Sequence, residues 1–155
     1  MSGAFTKEQD DDDLREDLPD RPISPHRNLV TPEGFAQIEA ELARLHVELD
    51  EAQAQDDKHA IARAARDLRY WSSRRSSAEV VHKISDVSQV RFGHLVVIED
   101  ETGKRQSFRL VGEDEADPAK GLIPYVAPLA KELMGKSVGE GVDVGRRSAR
   151  IVDIA

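Results

Sequence analysis

Asp56 and Asp57 stand side by side in AQAQDDKHAIARA, residues 52–64 of the chain. Paired carboxylates can hold a divalent metal and activate the water it carries. The same two residues can instead turn the chain and cap the next helix. VGEDEAD gathers Glu113, Asp114, Glu115 and Asp117 in a loop after a strand. Their spacing is not that of a calcium loop, which favours a polar loop with capping acids. Four aspartates at 10–13 form a solvated charge run. His26, His46, His59, His82 and His94 show no pairing at metal-ligand spacing and read as surface or boundary residues. H-E-x-x-H, G-x-S-x-G and phosphate-binding glycine loops are absent. The residues alone therefore suggest no metal and no cofactor.

The elements that position these groups follow from periodicity. TPEG at 31–34 supplies an N-cap threonine, a proline at the first helical position and an early glutamate. Phe35, Ile38, Leu42, Leu45, Leu49 and Ala52 then recur by threes and fours, as on the a/d seam of a coiled coil. A second seam runs through Ile61, Ala64, Leu68, Trp71, Arg75 and Ala78, with Arg75 its one poor fit. Neither proline nor glycine interrupts 35–88. The break between the seams predicts an antiparallel helical hairpin with Asp56 and Asp57 near its tip, each arm rising about 30 Å. The first arm is acidic and the second basic. Arg63, Arg66 and Arg74 fall on one outer strip of the second arm, with Arg69 at its margin. That strip either meets nucleic acid or an acidic protein channel, or is neutralised by the acidic arm.

From about Ser88 the period changes. QVRFGHLVVIED and RQSFRLVGE are rich in β-branched and aromatic residues, and DETGK turns between them. GLIPYV reads as a short strand, PLAKELMG as a short helix, and GVDVG with SARIVDIA as a closing hairpin around Gly145. The fold class is α+β: an antiparallel helical hairpin, then a small, mainly antiparallel sheet with one short helix. The expected divisions are an acidic, disordered tail at 1–28, the hairpin at 29–87 and the sheet domain at 88–155.

Composition bounds the function. The 155 residues are 39% hydrophobic and 34% charged, with a net charge of −8 and no cysteine. Generic DNA binding over the whole surface is disfavoured, as are disulfides and thiolate metal sites. With no membrane-length apolar run and no secretory signal, the expectation is a cytoplasmic monomer.

A helical hairpin followed by such a domain resembles the GreA/GreB transcript-cleavage factors of bacterial RNA polymerase. LVTPEGFAQIEAEL is similar to that family's entry into its first helix. VRFGHLVVIEDETGKRQSFRLVGEDEAD is similar to its first C-terminal hairpin and V-G-x-D-E-A-D run, and LIPYVAPLAKELMGKSVGEGVDV to the strand, helix and L-x-G-K-x-V-G segment that follow. The resemblance implies an FKBP-like C-terminal domain that docks at the rim of the polymerase secondary channel, and a coiled coil that enters it. Gly112, Asp114, Glu115, Asp117, Pro128 and Lys131 are the docking candidates. Contact with nascent RNA or DNA comes only through the polymerase complex.

The tip departs from the family pattern. Cleavage factors carry G-D-x-x-E-N-A there, whose acids help hold a second magnesium at the polymerase active site. Asp56 or Asp57 can stand for the first acid, but His59 and Ala60 lie three residues on; matching Asp67 to the last acid leaves Ile61 and Ala64 at the catalytic positions. The hairpin also counts about ten residues per arm shorter, or about 15 Å of reach. The expectation is a non-catalytic, polymerase-binding regulator. The rival is a cleavage factor that uses Asp56 and Asp57, with magnesium entering only through the polymerase. A third reading resembles the short-coiled-coil regulators of nucleoside diphosphate kinase, which share the C-terminal fold; the V-G-x-D-E-A-D match favours the Gre branch.

Overall fold

A computed structural model of the chain describes residues 18–155. The aspartates at 10–13 lie outside the described residues. The chain divides into two compact units: a hairpin unit, with 18–25 and Gln37–Ser77, and a sheet unit, with His26–Ala36 and Ala78–Ala155.

Two helices make the hairpin, α1 over Pro32–Ala54 and α2 over Lys58–Ser77. The Thr31 hydroxyl accepts from the Gly34 amide at 3.0 Å, and the Thr31 carbonyl accepts from the Phe35 amide. Thr31 is thus the N-cap, with Pro32 in the first position where its missing N–H is not needed. Ile38, Leu45 and Ala52 are buried along α1, with Leu42 and Leu49 half-buried between them. At 1.5 Å per residue the helices rise about 34 and 30 Å, the length expected from periodicity. On α2 the buried residues are Ala62, Ala64 and Arg74, while Arg75 is exposed and reaches Glu39 on α1 at 3.6 Å.

Residues 18–25, assigned from the sequence to an acidic, disordered tail, make side-chain contacts within the hairpin unit. The Arg21 guanidinium lies 3.9 Å over the Tyr70 ring and 3.4 Å from Asp67, and Asp20 pairs with Arg69 at 2.5 Å. Few apolar residues are needed for this, because a planar cation on an aromatic face is attractive without a core.

In the sheet unit, five strands run in the order β5-β4-β3-β7-β6: β3 Leu95–Asp100, β4 Arg105–Val111, β5 Leu122–Pro124, β6 Gly141–Val144 and β7 Arg147–Ile154. Three pairings are antiparallel, and β4–β5 is parallel. Helix α3, Pro128–Leu133, ends before Gly135, whose φ of +81° suits glycine. Val90, Val96, Ile98, Leu110, Ile123, Ala130, Leu133, Val142, Ile151 and Ile154 form the core. Strict alternation would send Ile151 and Ile154 to opposite faces. The register shift opposite Val97 and Ile98 leaves Val152 unpaired and lets both point inward.

Two features lay beyond periodicity. Strands β1, Leu29–Val30, and β2, Glu79–Val80, pair in parallel, so 26–36 and 78–87 belong with the sheet rather than the hairpin. The strand expected from QVRFGHLVVIED begins only at Leu95, because the chain turns at Gly93 with φ +86°. Among the described residues no helix is long and apolar enough to cross a membrane.

Candidate functional site at the hairpin tip and the start of the first helix

At the tip each aspartate has its own backbone task. The Asp57 amide donates to the Ala52 carbonyl at 3.0 Å, and the Asp56 amide to Gln53 at 3.2 Å. This 6→1 and 5→2 pair closes α1 in a Schellman motif. Asp56 occupies its left-handed position with φ +48°, the one positive φ among described residues other than glycine. Asp57 then starts α2: its carboxylate accepts from the Ala60 amide at 3.1 Å and its carbonyl from Ile61. The helix dipole favours the negative charge there. Both side chains are exposed. Among the described residues no group of three or more His, Asp or Glu is placed to hold a metal.

TPEG and VGEDEAD, distant in sequence, meet at Glu115. This carboxylate is buried and accepts from the Thr31 amide at 2.8 Å, the Gly112 amide at 3.0 Å and the Thr31 hydroxyl. A Cβ on Gly34 would lie 2.2 Å from the Glu115 carboxyl carbon, and one on Gly112 would lie 2.3 Å from the Leu29 carbonyl oxygen. Both glycines are required by close approach. Glu115 therefore fixes the first turn of α1 against the loop after β4.

Of the six docking candidates, Gly112 and Glu115 are thus buried in this anchor and offer no side chain to a partner. Pro128 and Lys131 are exposed, whereas Asp114 and Asp117 are half-buried; Asp117 lies 3.9 Å from Lys120. The basic strip is also divided. Arg63 is exposed, Arg66 lies 3.3 Å from Asp67, Arg69 is held by Asp20, and Arg74 is 2% exposed. Arg74 and Arg75 exchange the places expected of them, because the helical pitch carries position 74 inward once the seam passes Trp71.

His94 is no boundary residue. It is 1% exposed, with Nδ1 2.9 Å from the Arg91 amide and Nε2 2.9 Å from the Ile84 carbonyl. An amide only donates, so Nδ1 accepts and the proton sits on Nε2. The cue in the sequence was Phe-Gly-His, a turn that returns a side chain onto its own backbone.

Charged pairs elsewhere shift titration. Arg44 donates to Glu41 and holds its carboxyl below the usual range. Arg27 does the same to Glu79 through two hydrogen bonds.

The described residues thus comprise a helical hairpin with a capped tip and a small mixed sheet unit, within which a buried glutamate anchors the first turn of α1. Comparison with known proteins gives the family. Residues 85–155 match the family model described as "Transcription elongation factor, GreA/GreB, C-term". The chain is 31% identical to the transcription elongation factor GreA of Syntrophobacter fumaroxidans over 157 positions, covering 81% of this chain and 96% of that one. It is 35% identical to GreA of Solidesulfovibrio magneticus over 149 positions, covering 81% and 91%. The chain belongs to the GreA/GreB family of transcription elongation factors. The first alignment has more positions than the 155-residue chain yet uses 81% of it, so the relative contains stretches with no counterpart here. A solved structure, the GreA factor homolog 1 (Gfh1) protein of Thermus thermophilus, is 23% identical, covering 84% of this chain and 99% of that one with a TM-score of 0.39.

Proposed function

We propose that this chain regulates transcription elongation by binding bacterial RNA polymerase at its secondary channel, without stimulating transcript cleavage. The sheet unit docks at the channel rim through the exposed Pro128 and Lys131, with the half-buried Asp117, and the hairpin enters. The observation that carries this reading is the tip. Asp56 sits in the left-handed turn position and Asp57 caps α2 on the Ala60 amide, so both acids have a structural reason to be there. Helices of 23 and 20 residues add a second support, because the shortfall of about 15 Å counted against the family far exceeds the 2.1 Å of a magnesium–carboxylate bond. Contact with nascent RNA or DNA then arises only inside the polymerase complex, and any magnesium belongs to the polymerase.

The test is co-purification with polymerase, followed by cleavage of backtracked RNA at matched occupancy. Wild type and the Asp56→Asn, Asp57→Asn variant should both bind and both leave cleavage at background. Asparagine caps as well as aspartate and tolerates the left-handed region, so the variant should fold normally. Cleavage by the wild type that disappears in the variant would establish the cleavage-factor reading instead.

A further inference from the structure

Residues 18–21 lie along α2 as a second, non-helical layer. Arg69 donates from Nε to the Asp20 carboxylate at 2.5 Å and from Nη2 to the Leu18 carbonyl at 3.3 Å. The Arg21 guanidinium lies over the Tyr70 ring at 3.9 Å and reaches Asp67. Asp20 is 73% exposed and Arg69 50%, so the individual pairs are weak and salt-sensitive. Covalent attachment raises the strap's effective concentration and keeps it seated. A contact held in this way can be displaced by a free ligand of the same chemistry.

We propose that residues 18–21 are an autoinhibitory strap over a peptide-binding face of α2, and that the partner fitting this face is an extended polypeptide containing an Asp-Arg pair. The strap itself shows which groups the face accepts. Arg69 takes a carboxylate and a main-chain carbonyl, and Tyr70 with Asp67 takes the guanidinium of the next residue. Arg63, exposed and two turns nearer the tip, extends the face for a further acid. Asp67 in the middle of the face disfavours a phosphate backbone, which distinguishes this surface from one built for nucleic acid. The inference does not depend on polymerase binding.

The full-length chain provides the test, since Trp71 is its single tryptophan and lies 5.9 Å from the Arg21 guanidinium. The probe is a labelled peptide of residues 18–25, LPDRPISP. It should bind the full-length Asp20→Asn, Arg21→Ala variant about tenfold more tightly than wild type, the factor expected if the strap is closed about nine-tenths of the time. Binding should shift Trp71 emission and be lost when Arg69→Ala is added. Asp20→Asn alone, at an exposed pair, should give an intermediate affinity and keeps the test valid if the double variant folds poorly. Equal affinity for wild type and variant, no binding to either, or binding indifferent to Arg69→Ala would overturn the proposal. A single-stranded oligonucleotide that displaces the peptide at lower concentration would overturn the choice of partner.

Discussion

Replacing Gly34 by alanine sets two rules of opposite sign against each other. Alanine in place of glycine within a helix ordinarily stabilises by up to about 1 kcal/mol. At Gly34 the new Cβ would lie 2.2, 2.4 and 2.6 Å from the three carboxyl atoms of Glu115. No side chain tolerates such distances, so Glu115 must withdraw. It cannot do so freely, because it accepts from the Thr31 amide, the Thr31 hydroxyl and the Gly112 amide inside a buried site. A hydrogen bond to a charged group contributes about 1.5–3 kcal/mol, and the abandoned amides are left buried. Losing two of the three outweighs the propensity gain and leaves a net loss of about 2–5 kcal/mol. For a chain of this size that lowers Tm by about 4–20 °C. The assay is thermal and urea denaturation of wild type, Gly34→Ala, Glu115→Ala and the double variant. In the Glu115→Ala background the alanine at 34 should be neutral or stabilising, so the cycle yields a large coupling. A Tm for Gly34→Ala equal to or above wild type would refute the anchor.

The remaining predictions concern other fixed points of the sheet unit. His94→Ala orphans the Arg91 amide and the Ile84 carbonyl and should cost about 2–4 kcal/mol in urea denaturation, and a loss below about 1 kcal/mol would mean the two hydrogen bonds carry little. Asp100 closes the β3–β4 turn by accepting from Thr102 and Lys104, and the Thr102 hydrogen bond in first place holds its pKa below the ordinary 3.8. A depressed carboxylate stabilises the fold above its unfolded pKa and loses that contribution as pH falls through the folded value. The difference in urea midpoint between wild type and Asp100→Asn should therefore be larger at pH 7 than at pH 2, and an unchanged difference would count against the turn's dependence on charge.

Local patterns carried most of the architecture. The threes and fours from Phe35 to Ala52, the capping residues Thr31 and Pro32, and the Asp-Asp break between the arms specify a hairpin because helix geometry and capping act over a few residues. Asp57 as N-cap was legible for the same reason. So, apart from the start of β3, were strands β3 to β7 and the helix at Pro128, each bounded by its own turn or cap. Groups that only the tertiary structure brings together were not legible. Glu115 looked like one acid among four in a polar loop, until the fold placed it against Thr31, 84 positions away in sequence, and against Gly34. His94 looked ordinary because its partners are backbone groups, which leave no trace in side-chain spacing. Arg21 was assigned to an acidic, disordered tail because composition counts acids and prolines but cannot show that Tyr70 lies within reach. Periodicity and capping are local and are written in the chain, whereas burial of a charge depends on which distant donors arrive around it, and that is decided by the fold.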